Sequence, residues 1–214
     1  MLKAARLLAG HAGVAPRAAL RLTKRIPIAA GLGGGSADAA AALTALVELW
    51  RLALPTDELF DLAARIGADV PMCLAGRPSL VSGVGEKLAP SPPLPDCAIL
   101  LVNPGLPLVT RDVFTARRGD FSVPQPLQAW TDLSGFVAAL EVRGNDLTDA
   151  AIALCPPVAE VLSFLRGSKD VRYAAMSGSG ATCFALYATL EDARRAAAQV
   201  SANWWRHAGT LTQS

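Results

Sequence analysis

The sequence predicts an α+β fold in two unequal parts. Helical apolar stripes alternate along the chain with short apolar segments typical of strands, and 52% of the 214 residues are hydrophobic, which is ample for a core. Proline occupies four of the eight positions in 89–96, which excludes the interior of a helix or sheet there. We therefore expect one domain over residues 1–90 and a second over residues 91–214.

Helices are predicted where apolar residues recur at i, i+3, i+4 and i+7. Expected N-terminal caps are Ser36 or Asp38, Thr56, Thr110 and Asp146, because short oxygen-bearing side chains can accept a hydrogen bond from the first helical turn. Segment 191–200 is predicted as a helix from its alanine content. An amphipathic helix is also predicted from Leu2, Ala5, Arg6, Leu7 and Leu8. The stripes are Leu43, Leu46, Val47 and Trp50; Leu59, Leu62, Ala63 and Ile66; Leu133, Phe136, Val137 and Leu140; and Val158, Val161, Leu162 and Leu165.

Strands are predicted from alternation and from short apolar runs between turn residues. In segment 20–26 the apolar side chains and Lys24 fall on one face and polar side chains on the other. Segment 97–102 is fully apolar and is predicted as a central strand, whereas 171–187 is predicted as a hairpin around a glycine turn. Further strand signals are a hairpin edge at 80–88, broken by Gly83 and Gly85, and a last strand that starts near Trp204.

The composition excludes several classes of function. A net charge of +2 with 18% charged residues provides no strong field for nucleic acid or an anionic membrane. No apolar run is long enough to cross a bilayer. The four cysteines are scattered without a C-x-x-C pair, so we expect reduced, mostly buried thiols and a soluble, cytoplasmic protein.

The most informative stretch is the glycine-rich loop, defined here as residues 27–38. Gly31 and the run Gly33–Gly35 lie between the expected strand and a helix that starts near Ser36. Glycine lets the backbone approach a ligand, and the unpaired N–H groups of a helix start attract anions, most naturally phosphate. The stretch lacks the Gly-Lys-Ser/Thr of a Walker A loop and the acidic partner of a dinucleotide fingerprint. A flexible glycine turn is the alternative.

Asp69 is the second candidate for chemistry. It stands between Ala68 and Val70, just after an expected helix stop at Gly67, and a charged residue is unusual at such a place. From the residues alone, the favoured interpretation is a cap for a helix over 70–74, with Pro71 in its first turn.

Three motifs resemble those of the GHMP small-molecule kinases. Segment 26–41 resembles the nucleotide loop of that family, the Gly-Ala-Asp-Val-Pro at 67–71 resembles its catalytic motif, and the Met-Ser-Gly-Ser-Gly-Ala-Thr at 176–182 resembles its third motif. The resemblance covers nearly the whole chain. It implies a ribosomal-protein-like N-terminal domain, a ferredoxin-like C-terminal domain, an active site in the cleft between them, and transfer of phosphate from ATP to an alcohol.

The resemblance also implies roles for individual residues. Asp69 is the expected base, Ser36 assists a Mg²⁺ ion on ATP, and Phe114 stacks on a cytosine ring or, in the alternative, packs in the fold. The triple glycine and Asp38 favour a cytidyl substrate of the non-mevalonate isoprenoid pathway over homoserine or mevalonate. The expected ATP-binding residues are Pro27, Ile28, Ala29, Ala30, Gly31, Leu32, Gly33, Gly34, Gly35, Ser36, Ala37, Ser177, Gly178, Ser179 and Gly180.

The sequence departs from the family pattern in front of Met1. Family members begin with further strands that carry a lysine, which pairs with the catalytic aspartate, and a Tyr-His pair for the cytidine. Neither motif occurs here, and His11 and His207 stand in unrelated contexts, so we expect a chain shortened at its N-terminus. Three hypotheses stay open: the cytidyl kinase, a GHMP kinase for another small alcohol, and a non-catalytic remnant. Missing edge strands also predict aggregation or a homodimer.

Overall fold

The computed structural model describes residues 1–83, 85, 87–127 and 129–211. Contacts within the chain divide it into two compact units. The first unit contains Met1–Arg25 and Gly33–Ser91, and the second contains Ile26–Leu32 and the described residues from Pro92 onward. Both units combine helices with antiparallel strands, which confirms the expected α+β class.

The first unit is a helical cluster with a small hairpin. Its core forms where the apolar faces of the helices meet, and Leu8, Leu43 and Leu62 are fully buried there. The helical stripes that include these residues are confirmed, since amphipathic helices are stabilised by burial of one face. The elements are α1 (Leu2–Ala12), α2 (Gly34–Leu49), α3 (Thr56–Ile66), α4 (Val70–Ala75), β1 (Ser79–Ser82) and β2 (Lys87–Pro90), with β1 antiparallel to β2.

The second unit is a four-stranded antiparallel sheet with helices packed against it. The strand order is β4-β5-β3-β6, and the chain order of strands and helices is that of a ferredoxin-like fold. The predicted central strand is confirmed, because β3 pairs with both β5 and β6. The elements are β3 (Ala98–Asn103), α5 (Thr110–Ala116), α6 (Leu133–Arg143), α7 (Thr148–Leu154), α8 (Pro157–Gly167), β4 (Tyr173–Met176), β5 (Cys183–Tyr187), α9 (Leu190–Gln199) and β6 (Trp205–Thr210).

The strand expected at 20–26 does not form. These residues belong to no helix or strand, Ile26 lies in a bend, and Leu22 is 50% exposed. Alternation predicts a strand only where another strand supplies ladder hydrogen bonds, and no strand of the described chain pairs with this segment. The chain just before this segment is held by a side chain and not by a strand, since the indole N–H of Trp50 donates to the carbonyl of Arg17 at 3.0 Å.

The expected side-chain caps are wrong. Helices α2, α3, α5 and α7 start after Gly33, Pro55, Val109 and Leu147, none of which contributes a side-chain cap hydrogen bond. Each predicted residue lies inside the first two turns of its helix or just before the boundary residue. It therefore cannot act as the cap, because a capping side chain belongs to the boundary residue, whose backbone is not helical. Side-chain caps are found at two helices where they were not predicted, with Asp132 accepting from Gly135 N and Thr189 from Asp192 N.

The cysteines are free thiols, as expected. Cys97, Cys155 and Cys183 are buried, and Cys73 is half-buried. Burial raises the pKa of Cys183 to about 12, so this thiol stays protonated at neutral pH. Among the described residues, none of the helices has the length and apolar character needed to cross a membrane.

Candidate active site

The second half of the glycine-rich loop forms the start of α2. Gly33 has φ +63°, a left-handed conformation that favours glycine, and its carbonyl accepts hydrogen bonds from the backbone N–H groups of Ser36 and Ala37 at 2.9 Å each. In the described part of the chain, the N–H groups of Gly34 and Gly35 donate to no acceptor. These donors stand at the positive end of a 16-residue helix, which is a favourable place for an anion.

Ser36 lies within the first turn of α2. Its side chain is half-buried, and its hydroxyl makes no hydrogen bond to any described residue. The hydroxyl is therefore available to an oxygen-rich ligand or a cation beside the helix start.

Lys24 and Asp38 form an ion pair next to this helix start. The distance from Lys24 Nζ to Asp38 Oδ2 is 2.5 Å, and both side chains are partly exposed. The Lys24 amino group also lies 3.5 Å from the place that a Cβ on Gly34 would occupy. Asp38 therefore does not cap α2 but holds a positive charge beside the glycines.

The first half of the loop is bound to the turn that follows β4. Ala30 O accepts hydrogen bonds from the backbone N–H of Thr182, at 3.2 Å, and from the Thr182 hydroxyl. Gly31 O accepts from the Ser177 hydroxyl at 2.9 Å. Gly31 has φ +71°, and a Cβ on it would lie 2.2 Å from Gly180 O, so only glycine fits. Within the second unit, the first half of the glycine-rich loop and the turn after β4 are thus in direct contact.

The turn at 177–180 is held by side chains from other elements. Asn145 Nδ2 donates to Met176 O at 3.0 Å and to Gly178 O at 2.8 Å. The hydroxyls of Ser179 and Thr110 are hydrogen-bonded to each other at 2.9 Å, so Thr110 supports this turn and does not cap α5.

Most polar groups of this turn are therefore used within the protein. The Ser177 and Ser179 hydroxyls have protein partners, and Gly180 N donates to Ser177 O. The N–H groups of Gly178 and Ser179 have no acceptor among the described residues. The backbone N–H groups at these two positions are consequently the donors that the turn leaves unpaired among the described residues.

Asp69 occupies the cap position of α4 without making the capping bond. Its backbone carbonyl accepts from Cys73 N, but its side chain makes no cap hydrogen bond, so the interpretation as a side-chain cap is wrong. The carboxylate is exposed and has no hydrogen-bond or ion-pair partner in residues 1–83, 85, 87–127 and 129–211. It is therefore free to accept a proton or to meet a cation.

The backbone around Asp69 is tightly fixed. Val70 is buried in the core of the first unit, and its N–H donates to Gly67 O at 3.1 Å. Gly85 has φ +111°, and a Cβ on it would lie 2.5 Å from Ala68 O. Gly85 therefore packs closely against the backbone of Ala68, the residue before Asp69.

The Asp69 carboxylate affects the pKa of Cys73. Burial raises the pKa of the Cys73 thiol, and the Asp69 carboxylate raises it further. Cys73 is consequently a neutral, inert thiol and not a nucleophile at neutral pH.

Phe114 is on α5 with an exposed fraction of 51%, whereas its neighbour Val113 is fully buried. Helix α5 therefore packs through Val113 and presents the phenylalanine ring to solvent. This placement is consistent with a stacking surface and argues against the packing alternative for Phe114.

Comparison with known proteins agrees with these motifs. Residues 1–77 match the N-terminal domain of GHMP kinases, and residues 129–206 match the C-terminal domain of GHMP kinases. A relative from Paramagnetospirillum magneticum, named 4-diphosphocytidyl-2-C-methyl-D-erythritol kinase, is 54% identical over 96% of this chain and 73% of its own length. The chain belongs to the GHMP kinase family. A Rhodospirillum rubrum protein of the same name is 46% identical over 99% of this GHMP kinase and 71% of its own length.

Solved structures agree in fold. The crystal structure of a 4-(cytidine 5′-diphospho)-2C-methyl-D-erythritol kinase superposes with a TM-score of 0.77 at 38% identity, covering 97% of this chain and 76% of that one. The crystal structure of homoserine kinase from Cytophaga hutchinsonii gives a TM-score of 0.62 at 17% identity, covering 89% of this chain and 69% of that one. The second likeness shows the shared fold alone.

Sequence reasoning missed the residues that support the loops of this GHMP kinase. Asn103 and Thr182 are buried polar side chains, and Asn145 reaches two carbonyls of the turn at 177–180. The available signal was polarity in an apolar context, since Asn103 ends the apolar run of β3 and Thr182 directly precedes β5. Because buried polar groups need hydrogen-bond partners, this rule would have indicated that both residues make specific contacts.

Proposed function

We propose that this GHMP kinase transfers the γ-phosphate of ATP to the 2-hydroxyl of 4-diphosphocytidyl-2-C-methyl-D-erythritol, in the non-mevalonate isoprenoid precursor pathway. The observation that carries the proposal is the 54% identity over 96% of the chain with a relative of that name. The free backbone donors at the start of α2 and the free carboxylate of Asp69 support it independently.

The phosphates of ATP are bound by the glycine-rich loop. Residues 27–37 supply backbone N–H groups, with those of Gly34 and Gly35 at the positive end of α2, and the Lys24 charge lies beside them. The turn at 177–180 contributes backbone N–H groups of Gly178 and Ser179. Because these donors sit on fixed backbone, they need no rearrangement when charge develops on the phosphates.

The residues at the helix start also suit Mg²⁺. The Ser36 hydroxyl has no partner among the described residues, and Mg²⁺ takes oxygen ligands from the protein together with phosphate oxygens. A bound Mg²⁺ neutralises phosphate charge during transfer. Ser36 is the residue of this chain that would hold it.

Asp69 acts as the base. Its exposed, unpaired carboxylate accepts the proton of the 2-hydroxyl while the hydroxyl oxygen forms a bond to the γ-phosphorus and ADP leaves. Four free cysteines support the further proposal of a reducing, cytoplasmic environment for this reaction.

The alcohol specificity is tested by a comparison of three acceptors. The 214-residue chain is incubated with ATP, Mg²⁺ and either the cytidyl alcohol, homoserine or mevalonate, and phosphorylated product is followed by ³¹P NMR. We expect transfer to the cytidyl alcohol alone, and none after chelation of the metal. Transfer to homoserine or mevalonate but not to the cytidyl alcohol would contradict the proposal. Binding of ATP without transfer to any acceptor would contradict it too and would support a non-catalytic remnant.

Phe114→Ala should weaken binding of the cytidyl alcohol but not of ATP. The half-exposed ring has the placement of a stacking surface, and loss of one base–aromatic stack costs about 1–3 kcal/mol, or roughly 5- to 150-fold in KM. The measurement is KM for each substrate, with Phe121→Ala as the matched change of another exposed phenylalanine, which is 59% exposed. Equal KM values for the cytidyl alcohol in Phe114→Ala and the parent chain would exclude the stacking role.

A further inference from the structure

Buried polar side chains are concentrated at one place in the second unit. In the described part of the chain, three polar residues are buried: Asn103 at 1% exposure, Ser179 at 6% and Thr182 at 0%. Asn103 and Thr182 are hydrogen-bonded to each other, and Thr182 binds the first half of the glycine-rich loop, whereas Ser179 is paired with Thr110 in the neighbouring turn. Burying polar groups is costly unless they are paired, so a concentration of them marks a place where orientation matters.

The direction of each hydrogen bond from Gly105 through Asn103 and Thr182 to Ala30 is fixed. Gly105 N–H can only donate, and it donates to Asn103 Oδ1 at 2.8 Å. The amide nitrogen of Asn103 must therefore face Thr182, where it donates to Oγ1 at 2.9 Å. Thr182 Oγ1 then has its own hydrogen left for Ala30 O. Asn103 consequently sets which way the Thr182 hydroxyl points.

The network also orients the N–H groups of the loop. The peptide bonds of this segment are trans, so the Gly31 N–H points opposite to the Ala30 carbonyl, and the Leu32 N–H points opposite to the Gly31 carbonyl. Both carbonyls are bound by the turn, through Thr182 and Ser177. The Gly31 and Leu32 N–H groups therefore point away from the turn, and within the described residues neither has an acceptor.

We propose that Asn103, acting through Thr182, is a positioning residue that aims the Gly31 and Leu32 N–H groups at the phosphates of ATP. The inference rests on the proposed function, because it assumes that the glycine-rich loop binds ATP. Thr182 holds the loop directly, and Asn103 prevents the Thr182 hydroxyl from turning to another acceptor. Loss of the Asn103–Thr182 or the Thr182–Ala30 hydrogen bond leaves the Gly31 and Leu32 N–H groups present but no longer oriented toward the phosphates.

The test is calorimetric binding of a non-hydrolysable ATP analogue with Mg²⁺ to the full chain. Thr182→Val keeps the shape of the side chain and removes its hydroxyl, and we expect Kd to rise about tenfold. Thr182→Ser restores the hydroxyl and should bring Kd back to the parent value. The matched control is Tyr187→Phe, which removes the 2.6 Å hydrogen bond to Ser168 in the same unit and should leave Kd unchanged at a similar melting temperature.

A double-mutant cycle tests whether Asn103 acts through Thr182. Asn103→Ala should raise Kd roughly threefold, and the double change Asn103→Ala with Thr182→Val should raise it no more than Thr182→Val alone. Additive effects, or an unchanged Kd in Thr182→Val, would overturn this inference while the parent chain still bound the analogue. Failure of the parent chain to bind the analogue would overturn the proposed function itself. If Thr182→Val does not fold, Asn103→Ala with Tyr187→Phe as its control carries the test, and a parent Kd in Asn103→Ala would overturn the inference.

Discussion

Asp69→Asn is expected to lower kcat by roughly 100- to 10,000-fold, the range typical for loss of a general base. The substitution preserves the size of the side chain and its place at the start of α4, but an amide cannot accept the proton of the attacking hydroxyl. Because Asp69 makes no side-chain cap bond, the fold should not depend on it. The measurement is kcat for the cytidyl alcohol together with Kd for the ATP analogue, which should be unchanged.

Asp61→Asn is the matched control for this prediction. Asp61 is an exposed carboxylate on α3 of the same unit, and its change removes the same charge without touching the proposed chemistry. We expect kcat within about twofold of the parent value, as for most surface substitutions. If Asp69→Asn retained the parent kcat, another group would have to be the base.

Gly31→Ala is expected to weaken binding of the ATP analogue at least tenfold and to lower the melting temperature. The added Cβ would lie 2.2 Å from Gly180 O, a backbone atom that cannot rotate away, so the loop and the turn must separate. The left-handed φ of +71° adds about 1–2 kcal/mol of strain for any residue with a Cβ. Calorimetry gives the affinity, and thermal unfolding gives the change in stability.

Gly13→Ala is the control that separates the effect of backbone strain from the effect of the steric clash with Gly180 O. Gly13 ends α1 with φ +65°, close to that of Gly31, but a Cβ on it would meet nothing within 4 Å. This control should lose about 1–2 kcal/mol of stability and no ATP affinity. A Gly31→Ala protein that bound the analogue as tightly as Gly13→Ala would show that the contact between loop and turn is unimportant for nucleotide.

The elements that the sequence predicted well are those whose signal is local. Leu43 and Leu46 lie one turn apart on α2, and both are buried as their spacing requires. The apolar run of β3 leaves no polar face for solvent, and this strand is central in its sheet. The glycine-rich loop and Asp69 were identified as candidates because glycine clusters and isolated acids stand out in an apolar chain.

The features that escaped prediction depend on distant partners. The Thr182 hydroxyl contacts Ala30, which is 152 residues away along the chain, and no pattern within either segment indicates the other. Thr110 and Asp38 were predicted as caps from residue type alone, yet each binds a residue outside its own helix, Ser179 and Lys24. Short polar side chains have several favourable partners, and tertiary structure decides among them.

The central claim is that main-chain N–H groups of the glycine-rich loop hold the phosphates of ATP. The most direct test is a crystal structure of this chain with a non-hydrolysable ATP analogue and Mg²⁺. The account predicts phosphate oxygens about 3 Å from the backbone nitrogens of Gly34 and Gly35, at the start of α2. Phosphates bound at any other place, with these two nitrogens free of ligand, would contradict it.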